Sequence, residues 1–288
     1  MFVFDKQTGK KFPSSIRNIA AERGYYDLSD SFTLDKGMSV ADNDAADIIK
    51  RIRDRHSLAG LPRRDREVLA VFVVLQFLRT RGFQEHFRHM GQSLVDAITK
   101  RGLKLPSEWD EQLTAERQRE AYLEAIPGYL KDFLPHLQAK DLLLFKTDRS
   151  VPFCISDNPV ALNNTVNDGD GLRGTLGFAV QGIEVYLPIS AELTLAYLCP
   201  SIGLAYELDN LRLRGVGGLF NEDAFYYLQA RNLRIAMRLK PDNVRFQNSL
   251  QIRNAERFVI ACRDDFADAA DMVARDPEAR FGPRVTTS

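Results

Sequence analysis

At 288 residues, with 44% hydrophobic and 27% charged side chains, the chain has an ordinary globular composition and can bury a sizeable core as one large or two small domains. Its 39 basic and 39 acidic side chains cancel, which removes any long-range attraction for nucleic acid or anionic lipid and leaves only a local patch to draw such a partner. Three cysteines, Cys154, Cys199 and Cys262, form neither a disulfide framework nor a CxxC spacing, so a reducing, cytoplasmic compartment is expected.

The start at Met1 lacks the charged-then-apolar pattern of a signal peptide. The longest apolar run, residues 68–78, is interrupted by Gln76 and falls short of the roughly 20 residues that span a bilayer. No leader and no membrane partner are therefore expected.

In chain order, Phe2-Val3-Phe4 and Lys11-Phe12 around Gly9 predict a small hairpin. Residues 15–24 predict a short helical or irregular piece. Ala45, Ile48, Ile49 and Ile52 recur at helical spacing. Residues 63–81 are apolar all round the wheel, predicting an enclosed helix. Gly82 is expected to break it from a next helix striped by Phe83, Phe87, Met90, Leu94 and Ile98. Two more helices are predicted at 115–126 and 129–138, split by Pro127-Gly128. Residues 141–146 and 151–155 predict a hairpin, 162–177 a loop, and 183–187 and 193–198 strands. Asn221 is expected to cap a helix through Leu239, Pro241 to open another, and 257–262 to form a last strand before a short helix. The expected architecture is an α+β fold, a helical layer from the N-terminal half packed on a mainly antiparallel sheet. Residues 1–276 form one domain in this reading, and 277–288 a disordered tail.

Several patterns resemble functional motifs without their context. Residues 169–174 satisfy GxGxxG literally, but the motif must follow a strand and open a helix to offer its amides to phosphate. His86 and His89 lie three apart on a helix with no second histidine cluster, and Asp168 and Asp170 lack the calcium-loop spacing. No GxSxG elbow or P-loop GK[ST] occurs. Cys154, in the apolar Phe153-Cys154-Ile155, reads as inert packing. Arg231, Arg234 and Arg238 form a stripe with Tyr227, opposite Phe225, Leu228, Ile235 and Leu239. That stripe could meet phosphates, but the net charge of zero favours a solvated face.

The polar residues that periodicity places inside are more informative. Gln76 and Arg79 lie on the helix predicted to be enclosed, and a buried guanidinium needs a carboxylate or an anionic ligand. Asp157 is the expected partner. Ser156-Asp157-Asn158-Pro159 has two readings: turn chemistry that ends a strand, or a carboxylate and amide placed to hold a metal, water or substrate.

Phe4-Asp5-Lys6, Thr8-Gly9-Lys10, residues 15–20, 76–80, 153–160, 186–190, 248–251 and Arg257-Phe258-Val259 occur in an order that resembles the uncharacterised bacterial "domain of unknown function 4238" family. Members of that family usually carry a His-x-x-Pro segment before the first hairpin, which this sequence lacks because Met1 already stands in the hairpin. The resemblance implies no established activity, fold or cofactor.

Two functional expectations result. One is a hydrolase acting on a nucleotide or nucleic acid, with Asp157 and Asn158 catalytic, Arg79, Gln76, Arg17 and Gln251 binding substrate, and a divalent cation as the cofactor such a carboxylate site would use. The other is a non-catalytic binding or regulatory module of a bacterial defence or stress system, in which the same residues only hold the fold.

Overall fold

The computed structural model describes residues 1–14, 34–102, 114–147, 150–165, 176–215 and 221–283. The chain is α+β, with two sheets among the described residues. The helices are α1 (Leu34–Arg55), α2 (Arg63–Leu78), α3 (Arg81–Lys100), α4 (Ala115–Gln138), α5 (Pro200–Gly215), α6 (Glu222–Leu233), α7 (Pro241–Asn254) and α8 (Ala267–Arg275). The strands are β1 (Phe2–Asp5), β2 (Lys11–Pro13), β3 (Asp141–Lys146), β4 (Ile155–Ser156), β5 (Ala161–Asn164), β6 (Ile183–Pro188), β7 (Leu193–Leu198), β8 (Met237–Arg238) and β9 (Phe258–Ala261).

The larger sheet has the order β5-β6-β7-β3-β8 and is antiparallel except for the β3–β8 pair. Its central strands are buried on both faces, so they read as largely apolar runs, interrupted by Glu184 and Thr194. Alternation along them still separates two cores. Ile183, Val185, Leu187 and Tyr197 face Val73, Val74 and Leu78 of α2 and Tyr122, Leu123 and Ile126 of α4. Tyr186, Ala196, Leu198, Leu143 and Phe145 face Tyr227 and Ala230 of α6 and Val244 and Leu250 of α7. Helices thus cover both faces of this sheet. Each large side chain that α2 and α4 bury there contributes roughly 1.5 to 3 kcal/mol.

The smaller sheet, β2-β1-β9-β4, is antiparallel throughout. Phe4 and Val259 pack there with Ile252 of α7 and Phe266, Ala269 and Val273 around α8. The hairpin is as predicted, with Gly9 at φ 71° supplying the turn.

Several element boundaries differ from expectation. The α2–α3 break falls at Arg79-Thr80, because the Thr80 hydroxyl accepts the Phe83 amide and caps α3. Pro127 does not split the fourth helix: α4 runs through Pro127 and Pro135, since Tyr122, Leu123 and Ile126 before the first proline and Leu137 after it bury in the same core. Residues 151–154 form no strand beside β3; the strand begins at Ile155 and joins the other sheet through β9. Residues 162–164, expected to open a loop, belong to the strand β5. The helix capped by Asn221 ends at Leu233, because Arg234 turns left-handed at φ 55° and the chain re-enters the sheet as β8. Pro277–Arg280, expected in the tail, form a 3-10 turn with Ala279 buried. The predicted piece at 15–24, the GxGxxG match, Asp168 and Asp170 lie outside the described residues.

Candidate functional site

The Ser156–Pro159 turn lies where β4 ends against the C-terminal half of α7. The Asp157 carboxylate accepts the backbone amides of Glu256 (2.9 Å), Arg257 (2.9 Å) and Phe258 (3.0 Å). Burial pushes this carboxyl above its ordinary range; the three amides pull it back, and the Glu256 charge raises it further. Gln251 is fully buried. Its Oε1 accepts from the Ser156 amide (3.1 Å) and hydroxyl (3.0 Å), while its Nε2 donates to the Pro159 carbonyl (2.8 Å). Asn158 and Asn254 exchange amides, each Nδ2 donating to the other's backbone carbonyl. Asn248 likewise holds Cys154 and Pro152. The structure therefore brings Asp157, Asn158 and Gln251 together, engaged mainly with backbone.

Neighbouring family motifs join the same lock. Lys6 is fully buried, its ammonium donating to the Ile252 and Ala255 carbonyls at the end of α7. Asp5 pairs with Arg257 at 2.8 Å. Among buried side-chain atoms here, Asn158 Oδ1 has no partner.

Arg79 and Gln76 do not complete this cluster. The Arg79 guanidinium bonds Asp42 on α1 (2.7 Å) and the Gln76 side chain (3.2 Å), and it forms no ion pair with Asp157. The wheel reading failed for a local reason: Arg79 lies past the last residue of α2, in the C-cap, so its side chain leaves the enclosed face and stays half-buried. Arg17 lies outside the described residues. Among the described residues, no three His, Cys, Asp or Glu side chains group to hold a metal ion, and no helix is long and apolar enough to cross a membrane.

A second place has the makings of a site. A cleft of about 490 Å³ opens where β3 begins. Arg63, Arg66, Glu67 and Ala70 of α2 form one wall, Gln138, Lys140 and Asp141 at the α4–β3 turn another, and Arg231 and Arg234 at the end of α6 a third, with Tyr197 of β7 and Leu58 and Leu142 completing the lining. Among the described residues, five cations and two carboxylates line the cleft. Glu67 is taken by Arg63 (2.8 Å), and Arg231 by Glu207 and, more distantly, Asp141 (3.8 Å). The half-buried Arg66, Lys140 and Arg234 side chains meet no carboxylate among the described residues. Burial lowers the Lys140 ammonium below its ordinary range, with Cys199 acting weakly the other way. The Tyr197 hydroxyl is buried and has no partner, which costs about 1 to 3 kcal/mol.

The backbone holds this rim under strain. His56 (φ 50°) and Arg234 (φ 55°) are the non-glycine residues in the left-handed region among those described, and they flank the isolated Ser57–Ile235 bridge. The Arg234 carbonyl accepts from the Leu58 amide (2.9 Å) and the Ser57 hydroxyl (3.1 Å), which fixes where that arginine leaves the chain. Strain of this kind clusters where a side chain must be aimed.

The arginine stripe of the sequence reading thus divides. Arg231 and Arg234 line the cleft, Arg238 sits on β8, and the faces of α6 are exchanged: Tyr227 is buried against Tyr206 while Phe225 is exposed. Arg66 ends a basic stretch, residues 50–66, that Asp54 and Asp65 dilute, and Lys140 carries no sequence signal of its own.

The architecture is that of a two-sheet α+β protein with a cation-lined cleft at one end of the larger sheet. The chain belongs to the family described as "Protein of unknown function (DUF4238)", whose model matches residues 1–265. No curated protein and no solved structure matches it.

Proposed function

We propose that this protein is a binding module for a phosphate-bearing small molecule of about mononucleotide size, held in the arginine cleft. The observation that carries this reading is the set of three half-buried cations, Arg66, Lys140 and Arg234, which line one cleft with Tyr197 and meet no carboxylate among the described residues. Arginine forks favour phosphate and carboxylate oxygens, and the volume falls within the range of small-molecule pockets. A cytoplasmic, regulatory setting such as a bacterial defence or stress response suits a domain that senses a nucleotide, and the three unpaired cysteines support a reducing compartment.

The hydrolase reading keeps one supporting observation, the unpartnered Asn158 Oδ1 beside Asp157. A general base must present a free lone pair to its substrate or water, and Asp157 commits three of its roughly four acceptor sites to backbone amides, which leaves one on Oδ1.

Titration calorimetry with ATP separates the two. Under the binding reading, ATP binds, Arg66→Glu and Arg234→Glu each abolish the heat, and Asp157→Asn leaves it. Binding lost only in Asp157→Asn, with measurable nucleotide hydrolysis in the wild type, would replace this reading with the hydrolase.

A further inference from the structure

The charge and shape of the cleft say which part of a ligand it reads. Among the described residues, Arg63 is set against Glu67 and Arg231 against Glu207 and Asp141, which leaves Arg66, Lys140 and Arg234 as three cations without a carboxylate partner. Among the described residues the lining also lacks a stacking platform: its one aromatic ring, Tyr197, is buried at 3% exposure and presents no open face. Stacking on an aromatic face is the usual way to hold a base without reading its sequence. Among the described residues nothing on the lining replaces it, because the other apolar residues there are the aliphatic Leu58, Ala70 and Leu142.

The three unpaired cations come from three separate elements, the start of α2, the α4–β3 turn and the end of α6. That spread suits a chain of phosphates, whose oxygens face several directions, better than one compact anion. Arg234 is aimed by its left-handed backbone, and Tyr197 adds a donor hydroxyl that burial keeps protonated.

We infer that the cleft recognises the polyphosphate chain itself, with at least two linked phosphates spanning Arg66, Lys140 and Arg234 and capped by the Tyr197 hydroxyl, and leaves any attached nucleoside unread. This rests on the anion-binding reading above and narrows it to a ligand class: inorganic polyphosphate, or the diphosphate or triphosphate tail of a nucleotide.

The test is a calorimetric series on the full chain at fixed ionic strength with tripolyphosphate, pyrophosphate, ATP, AMP, orthophosphate and adenosine. The expected result is that tripolyphosphate and ATP bind within roughly threefold of each other, AMP and orthophosphate at least about tenfold more weakly, and adenosine not at all, one charge-assisted hydrogen bond corresponding to roughly tenfold or more. Tyr197→Phe keeps the buried ring and removes only the hydroxyl, so it should fold and weaken tripolyphosphate severalfold. Arg66→Glu should abolish binding at unchanged circular dichroism; if it unfolds, Arg66→Gln supplies the same comparison.

AMP or adenosine binding as tightly as ATP would overturn the inference while leaving the cleft a nucleotide site. Tripolyphosphate binding unaltered by both Tyr197→Phe and the Arg66 variants would overturn it as diffuse surface binding. Absence of binding by every phosphate ligand would remove both this inference and the reading it rests on.

Discussion

Asp157 Oδ2 accepts the Phe258 amide at 3.0 Å, and the Phe258 carbonyl accepts the Asp157 amide at 3.1 Å, so two residues 101 positions apart clasp each other by side chain and main chain. The same carboxylate stops the loop between α7 and β9 from leaving three amides unsatisfied. Asp157→Ala should therefore lose on the order of 3 kcal/mol, the sum of unmet donors partly re-solvated. Asp157→Asn keeps an acceptor oxygen and should lose less. Urea unfolding of both variants checks this, and an alanine variant as stable as wild type would contradict the assigned role.

Gly82 and Gly91 provide an internal comparison on α3. A Cβ at Gly82 would sit 2.5 Å from Asn158 Nδ2, whereas one at Gly91 meets nothing within 4 Å. Gly91→Ala should stabilise the protein by up to about 1 kcal/mol through helix propensity alone. Gly82→Ala should destabilise it, because Asn158 is tied to Asn254 and cannot withdraw freely. Thermal melting of the two single variants should move the midpoint in opposite directions.

Acid stability depends on Asp5. Burial works to raise its carboxyl, but Arg257, the Thr8 hydroxyl and the Thr8 and Gln7 amides outweigh it and hold the group below its ordinary value. A depressed folded value means that the unfolded chain takes up the proton first. The contribution is then fully present above the unfolded value, near 4, and is lost as pH falls through the folded one. Asp5→Asn should lower stability at pH 7 and flatten the decline below about pH 4. Denaturant melts at a series of pH values give the slope, and an unchanged slope would exclude Asp5 as its source.

The thiols should differ sharply in reactivity. Burial pushes Cys154 up to about 12, leaving almost no thiolate near neutral pH. Cys262 is exposed. At Cys199 burial acts upward, but the Ser201 hydroxyl, at 3.1 Å, the Gly182 and Ser201 amides and Lys140 together bring the thiol below its ordinary value. Native protein treated with a chromogenic disulfide should release two equivalents, Cys199 and Cys262, and the third only in denaturant. Rapid modification of Cys154 in the native state would show that the core around β4 opens.

Much of this molecule was legible as pattern. Period-2 and helical spacing placed α1, α2, β6 and β7, and turn chemistry placed the hairpin at Gly9. What escaped depends on partners distant in sequence. Pro127 looks like a stop until α4 is seen buried on both sides of it. Helix α5 has outward Leu204, Leu208 and Leu211 as well as inward Ile202 and Tyr206, so its apolar residues surround the wheel and hide the period. The Ser156–Pro159 turn was visible as a motif, yet its partners, the amides of residues 256–258, carry no side-chain signature at all. The cleft joins residues 63–66, 140 and 231–234, three stretches that only folding brings together.

The position of β1 has a consequence in time. It lies inside the smaller sheet, between β2 and β9, with Asp5 paired to Phe258. A ribosome adding roughly 5 to 20 residues per second delivers β9 some tens of seconds after β1. Throughout that interval the hairpin carries an open edge, with Val3 and Phe4 uncovered and the Lys6 ammonium waiting for carbonyls not yet made. The larger sheet can close before then, since its last strand, β8, precedes α7. Synthesis thus imposes an order on assembly: the nascent chain must keep its first strand from wandering until its last one arrives.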